Sequence, residues 1–143
     1  MTTSNQPKPA LPTLPLRVFL VEDSPTVREQ IVENLSDIPG VLFAGFSDTE
    51  GGAFGQLSQE AFDVVIFDIE LKQGNGISLL RSLASSPQLP ENLKIIFSNN
   101  VSRGYRRVGE QYGVRYFFDK TSELSKLREL LQRLTTGTTI GQP

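Results

Sequence analysis

Five short apolar runs recur along this chain with longer, periodically apolar stretches between them, and that alternation constrains the fold more than any other feature. The runs are Val18-Phe19-Leu20-Val21, Val41-Leu42-Phe43-Ala44, Val64-Val65-Ile66-Phe67, Leu93-Lys94-Ile95-Ile96-Phe97 and Tyr116-Phe117-Phe118. They are mostly continuous rather than alternating apolar and polar, as parallel strands buried on both faces should be. Strand and helix alternating five times, joined by right-handed crossovers, predict an α/β fold. It is a doubly wound, five-stranded parallel sheet of flavodoxin-like order 2-1-3-4-5 with helices on both faces.

The helical stretches carry their own punctuation. Ser24 reads as an N-cap and Pro25 as the first helical residue of a helix that buries Val27, Ile31, Leu35 and Ile38 until Pro39-Gly40 ends it. The second helix, at 49–59, carries Gly51, Gly52 and Gly55. Each glycine costs about 1 kcal/mol relative to Ala, which predicts a short or mobile element. Ile77, Leu79, Leu80 and Leu83 mark a third helix after the loop Gln73-Gly74-Asn75-Gly76. Val101, Tyr105, Val108 and Tyr112 space a fourth, the most polar, and Leu124, Leu127, Leu131 and Leu134 stripe a fifth. At 143 residues the chain fits one domain, expected at 16–135. It is flanked by a Pro-rich flexible tail at 1–15 and a second tail at 136–143.

Composition narrows the chemistry. The chain has no Cys and no His, which excludes disulfides, thiolate or imidazole metal sites, Ser-His-Asp triads and phosphohistidine on this chain. Carboxylates, hydroxyls, amides and lysine remain. Fourteen Lys and Arg against sixteen Asp and Glu give a net charge of -2, so no global field draws it to nucleic acid or an anionic membrane. No apolar run approaches the roughly twenty residues that span a bilayer, and the N-terminus lacks a signal-like apolar segment. A cytoplasmic location without membrane partners is expected.

In sheets of this order, ligands sit at the carboxyl ends of the strands, where the order reverses between strands 1 and 3. Glu22-Asp23 ends strand 1, Asp68 ends strand 3, Ser98 ends strand 4 and Lys120 follows strand 5. Carboxylates gathered in a crevice either raise a pKa or recruit a cation, and an all-oxygen, water-retaining site suits magnesium. Asp23 and Asp68 would hold Mg2+, with Glu22 reaching it through water. Asp68 is the available nucleophile, able to form an aspartyl phosphate. Lys120 would pair with one phosphoryl oxygen, and the Ser98 hydroxyl would donate to another. Taken singly these residues read as caps and turn formers. Independent turn chemistry gives no reason for their joint placement after strands 1, 3, 4 and 5.

The segments VFLVEDSPTVRE, VVIFDIELKQGNGISLL, IIFSNN and YFFDKT, in that order, resemble the signature segments of the receiver domain of two-component response regulators. The resemblance covers about residues 16–135 and adds roles that the residues alone do not dictate. It implies that Asp68 accepts a phosphoryl group from a phosphohistidine of a sensor histidine kinase or histidine phosphotransfer protein. It places the backbone carbonyl of Glu70 among the metal ligands, makes Ser98 and Phe117 the switch pair, and lets Glu70 and Asn100 tune self-dephosphorylation. The chain departs from the family pattern at Lys72, where Pro is frequent, at Asn99, where Ala or Gly is usual, and at Thr121, where Pro follows the lysine. Gly76 keeps the family turn.

No DNA-binding module is recognisable beyond the fifth helix, so the sequence reads as a stand-alone receiver rather than a conventional enzyme. Output would pass to an unidentified partner on the face of helix 4, strand 5 and helix 5. Arg103, Arg106, Arg107 and Arg115 concentrate positive charge there, either as a solvated surface paired with Glu110 or as a site for an acidic partner, with Tyr105 as an anchor. Two other readings compete. One is a receiver-like interaction module that is not phosphorylated. The other is a haloacid dehalogenase-type phosphatase, which wants a second Asp where this chain has Glu70. A flavin site is weaker, because Asp23-Ser24-Pro25 would meet a phosphate with a carboxylate.

Overall fold

The computed structural model describes residues 15–137. The expected tails lie almost wholly outside the described residues. Strands and helices alternate strictly: β1 Leu16–Val21, α1 Pro25–Leu35, β2 Val41–Ser47, α2 Glu50–Gln59, β3 Val64–Phe67, α3 Gly76–Ala84, β4 Leu93–Ser98, α4 Arg103–Gln111, β5 Val114–Asp119 and α5 Leu124–Thr135. The five strands form one parallel sheet of order β2-β1-β3-β4-β5, the doubly wound flavodoxin-like arrangement read from the sequence.

The continuous apolar runs are explained by two cores, one on each face of the sheet. Successive side chains of a strand point to opposite faces. Phe19, Val21, Val65, Phe67, Ile96 and Phe117 meet α2, α3 and α4 on one side. Val18, Leu20, Val64, Ile66, Ile95 and Phe97 meet α1 and α5 on the other, against Ile31, Leu35, Leu127 and Leu131. Every residue of β3 is buried.

Three helices differ in detail from the sequence reading. The Ser24 hydroxyl caps α1 by accepting from the Val27 amide at 3.2 Å, and Pro25 follows it. The helix ends at Leu35, however, and Ile38 reaches the core from the turn that Gly40, at φ +90°, closes. A buried turn residue in phase with the helix is indistinguishable by spacing. α2 is not short: its ten residues exceed the nine of α3 and of α4. Gly51 and Gly55 face open space, and Ala53 and Leu57 supply the buried stripe. At Gly52 a Cβ would approach the Ser47 hydroxyl to 2.6 Å, so that glycine lets the helix start close against β2. α4 begins at Arg103 behind a Ser102 cap, leaving Val101 before the helix and Tyr112 at its C-cap. Both still pack on the α2–α4 core, which is why spacing joined them to the helix.

Candidate functional site

The main chain sets out the site before any side chain does. The Glu22 amide donates to the Ser47 carbonyl at 3.0 Å and the Asp68 amide to the Val21 carbonyl at 3.1 Å, so both residues continue the strand register just past the sheet. The Lys120 amide donates to the Ser98 carbonyl at 3.0 Å, which joins the ends of β4 and β5 in the same way. Glu22, Asp68 and Ser98 are buried.

The side chains converge on Asp68. The Ser98 hydroxyl donates to Asp68 Oδ1 at 2.6 Å and the Glu70 amide donates to the same oxygen at 3.3 Å. Lys120 Nζ lies 2.5 Å from Asp68 Oδ2 and 2.8 Å from Glu22 Oε1. The other Glu22 oxygen accepts from the Ser24 amide at 3.1 Å. Asp23 is half-buried beside them. Each of Glu22, Asp23 and Asp68 offers an oxygen lying within 4.8 Å of the other two.

Two carboxylates share one ammonium and a third stands unpaired beside them, so the pocket carries an excess of negative charge that a divalent cation would balance. Burial pushes the Glu22 carboxyl above its ordinary range despite the lysine beside it. Burial also works against the Lys120 ammonium, but hydrogen bonds and charge from Asp68 and Glu22 outweigh it and hold the lysine protonated above its usual range. Asp23 accepts no hydrogen bond and joins no ion pair among the described residues, which leaves its carboxylate available. A set of hard oxygen donors with one free carboxylate fits Mg2+ chemically.

Around this centre the structure brings some expected residues together and separates others. Asn100 Nδ2 donates to Glu70 Oε2 at 3.1 Å, linking the loops that follow β3 and β4. Phe117 is turned inward, 8% exposed, with the Arg106 guanidinium 5.1 Å from its ring centroid. Asn99 and Lys72 are exposed, and the Lys120–Thr121 peptide is trans. Tyr105 packs on the core between α3 and α4 rather than on the arginine-bearing side, and Glu110 forms no ion pair with any arginine.

Two participants went unread in the sequence. Arg28 Nη1 donates to the Glu22 carbonyl at 3.0 Å while its guanidinium lies 4.3 Å from the Phe46 ring centroid. Glu50 in α2 accepts from the Ser78 hydroxyl at 2.6 Å and the Asn75 amide at 3.1 Å, fastening the loop that follows Asp68. Both depend on how helices are rotated against one another, for which the sequence carries no local signal.

A family model described as the response regulator receiver domain matches residues 18–132. A protein-glutamate methylesterase/protein-glutamine glutaminase of Koribacter versatilis is 32% identical over 119 residues, covering 80% of this chain and 31% of that protein. One from Pseudomonas savastanoi is 32% identical over 80 residues, covering 56% of this chain and 22% of its own length. The chain therefore spans less than a third of these curated relatives. Among solved structures, the signal receiver domain of NarL from Mycobacterium tuberculosis superposes with a TM-score of 0.74 at 22% identity, covering 87% of this chain and 98% of that one. The phosphorylated cyanobacterial phytochrome response regulator RcpA gives 0.73 at 20% identity, covering 87% and 96%. At these identities the likeness establishes the fold.

Proposed function

The chain belongs to the response regulator receiver domain family, and within it we propose a phosphorylation-dependent switch whose acceptor is Asp68. The observation that carries this reading is the convergence of Ser98, Lys120 and Glu22 on one buried aspartate beside a free Asp23. The donor is a phosphohistidine on a sensor kinase or phosphotransfer protein.

In the transfer step an Asp68 carboxylate oxygen bonds to phosphorus as the bond between phosphorus and the donor imidazole nitrogen breaks, leaving the electron pair on that nitrogen. Lys120 and Ser98 already sit on the two Asp68 oxygens, so both are placed to pass onto the phosphoryl oxygens once one carboxylate oxygen is committed to phosphorus. Little movement is needed, and alignment of this kind supplies much of the catalysis in phosphoryl transfer. Mg2+ would be held by Asp23, Asp68, Glu22 and the Glu70 carbonyl, and it supplies charge neutralisation for the incoming group. Hydrolysis reverses the gain: water attacks phosphorus, its proton passes to solvent and the Asp68 carboxylate is restored. Glu70 and Asn100, bonded to each other, stand where they can limit that water. The signal leaves through the α4, β5 and α5 face, to which Phe117 belongs.

The test is intact mass after incubation with acetyl phosphate and Mg2+. One added phosphoryl group is expected, absent in Asp68→Ala and abolished by chelation. An unchanged mass for the wild-type chain overturns the reading and favours a module that is not phosphorylated. Continuous hydrolysis of a generic phosphate ester would instead revive the phosphatase alternative.

A further inference from the structure

We propose that the outer face of α4 docks a carboxylate-rich segment of a protein partner, gripped by Arg103, Arg106 and Arg107, and that Arg106 couples its occupancy to Phe117. The docking surface follows from the helix itself. Positions three and four apart lie on one helical face, so these arginines form a single stripe opposite the side on which Tyr105 and Tyr112 face the core. All three are exposed, as is Arg115 at the start of β5. None of the four has a carboxylate partner among the described residues, although Glu110 shares the stripe. Arg17 pairs with Glu60 and Arg128 with Asp37. Among the described residues Lys72, Arg81 and Arg133 are exposed without a carboxylate too, but those three lie on separate segments whereas the arginines of α4 share one face.

Charge complementarity selects the occupant. The molecule as a whole is acidic, with a net charge of -2, so a long polyanion would be attracted at α4 and repelled by the remainder. The nine residues of α4 span about 14 Å at 1.5 Å each, enough for two or three side chains of a facing segment. Arginine grips carboxylates through two parallel hydrogen bonds, which a stripe of guanidiniums repeats along the partner.

Arg106 has a second contact that its neighbours lack. Its guanidinium lies 5.1 Å from the Phe117 ring centroid, and that ring is set so close to α4 that a Cβ on Gly109 would come within 2.8 Å of it. A carboxylate that draws Arg106 toward solvent weakens what holds the ring. Phe117 stands in β5 three residues before Lys120, so the ring and the Asp68 site share one strand end. By linkage, a phosphoryl mimic at Asp68 and a partner on α4 must alter each other's affinity by the same factor. This coupling rests on the switch reading; the docking does not.

The test uses fluorescence anisotropy with a labelled glutamate-rich peptide, a labelled oligonucleotide of equal charge and phosphatidylserine vesicles. The peptide is expected to bind the wild-type chain best, more weakly at high salt, and to lose about tenfold or more in affinity with Arg103→Gln/Arg107→Gln. Tighter binding of the oligonucleotide or the vesicles, or an unchanged peptide affinity in the double variant, overturns the docking. Beryllofluoride with Mg2+ is expected to shift the peptide affinity of the wild type and to leave that of Arg106→Gln unmoved. A shift retained in Arg106→Gln overturns the coupling alone. Labelling by acetyl phosphate, read by mass in the same variants, is expected to persist. Its absence from the wild type as well would count against the switch and leave the peptide comparison standing.

Discussion

A methyl group at position 76 has nowhere to go. A Cβ on Gly76 would fall onto the carbonyl oxygen of Asp68 and lie 3.0 Å from the Phe67 ring, so the start of α3 rests directly on the Asp68 peptide. Gly76→Ala is therefore expected to cost about 1–3 kcal/mol in urea unfolding, as overpacking generally does, and to slow acetyl phosphate labelling of Asp68 because the strand end must shift. An unchanged urea midpoint would contradict that packing. The polar centre was legible in the sequence for a simple reason: Glu22, Asp68, Ser98 and Lys120 each follow an apolar run that ends at the same sheet edge. Arg28 was not legible, since its hold on the Glu22 carbonyl depends on the direction in which α1 leaves β1. Tyr105 reads as an interface anchor from its flanking arginines, yet the helix turns it to the core.

Between elements, long side chains decide what strand order leaves open. Arg128 in α5 pairs in two-pronged fashion with Asp37 beyond α1, at 2.8 and 3.0 Å. The guanidinium hydrogen bonds hold the Asp37 carboxyl below its ordinary value of 3.8. A carboxylate whose pKa is depressed on folding adds stability above its unfolded value and loses it as pH falls through the folded one. Urea midpoints of wild type and Asp37→Asn should thus differ at neutral pH and converge on acidification below the carboxylate range. The effect is small because Asp37 is largely exposed. α2 illustrates the limit of propensity. Its glycines predict weakness, but a Thr49 cap, buried Ala53 and Leu57, and the Glu50 bonds to Ser78 and Asn75 offset that cost. Removing the bonds with Glu50→Ala is expected to cost about 1 kcal/mol and to speed hydrogen exchange at the Asn75 amide. Five alternations foretold the sheet order, whereas helix ends at Leu35 and Arg103 were blurred because buried turn residues continue the helical phase.

At the scale of the molecule, the metal binding proposed for the acidic pocket would link stability to Mg2+. A ligand that binds only the folded state raises its stability by about 2.7 kcal/mol at a concentration one hundred times its dissociation constant. Mg2+ is accordingly expected to raise the thermal midpoint of the wild type and to do so far less in Asp23→Asn. That substitution should itself stabilise the metal-free chain by relieving repulsion among Glu22, Asp23 and Asp68, as differential scanning calorimetry can show. β2 is the outermost strand on its side of the sheet, and among the described residues it carries the two large apolar side chains most open to water, Leu42 and Phe46. Arg28 spreads over the Phe46 ring while its other contact reaches into the acidic pocket. One guanidinium thus covers part of that greasy margin, at Phe46. A chain carrying Arg28→Ala should scatter more light as it is concentrated, its solubility and its pocket failing together.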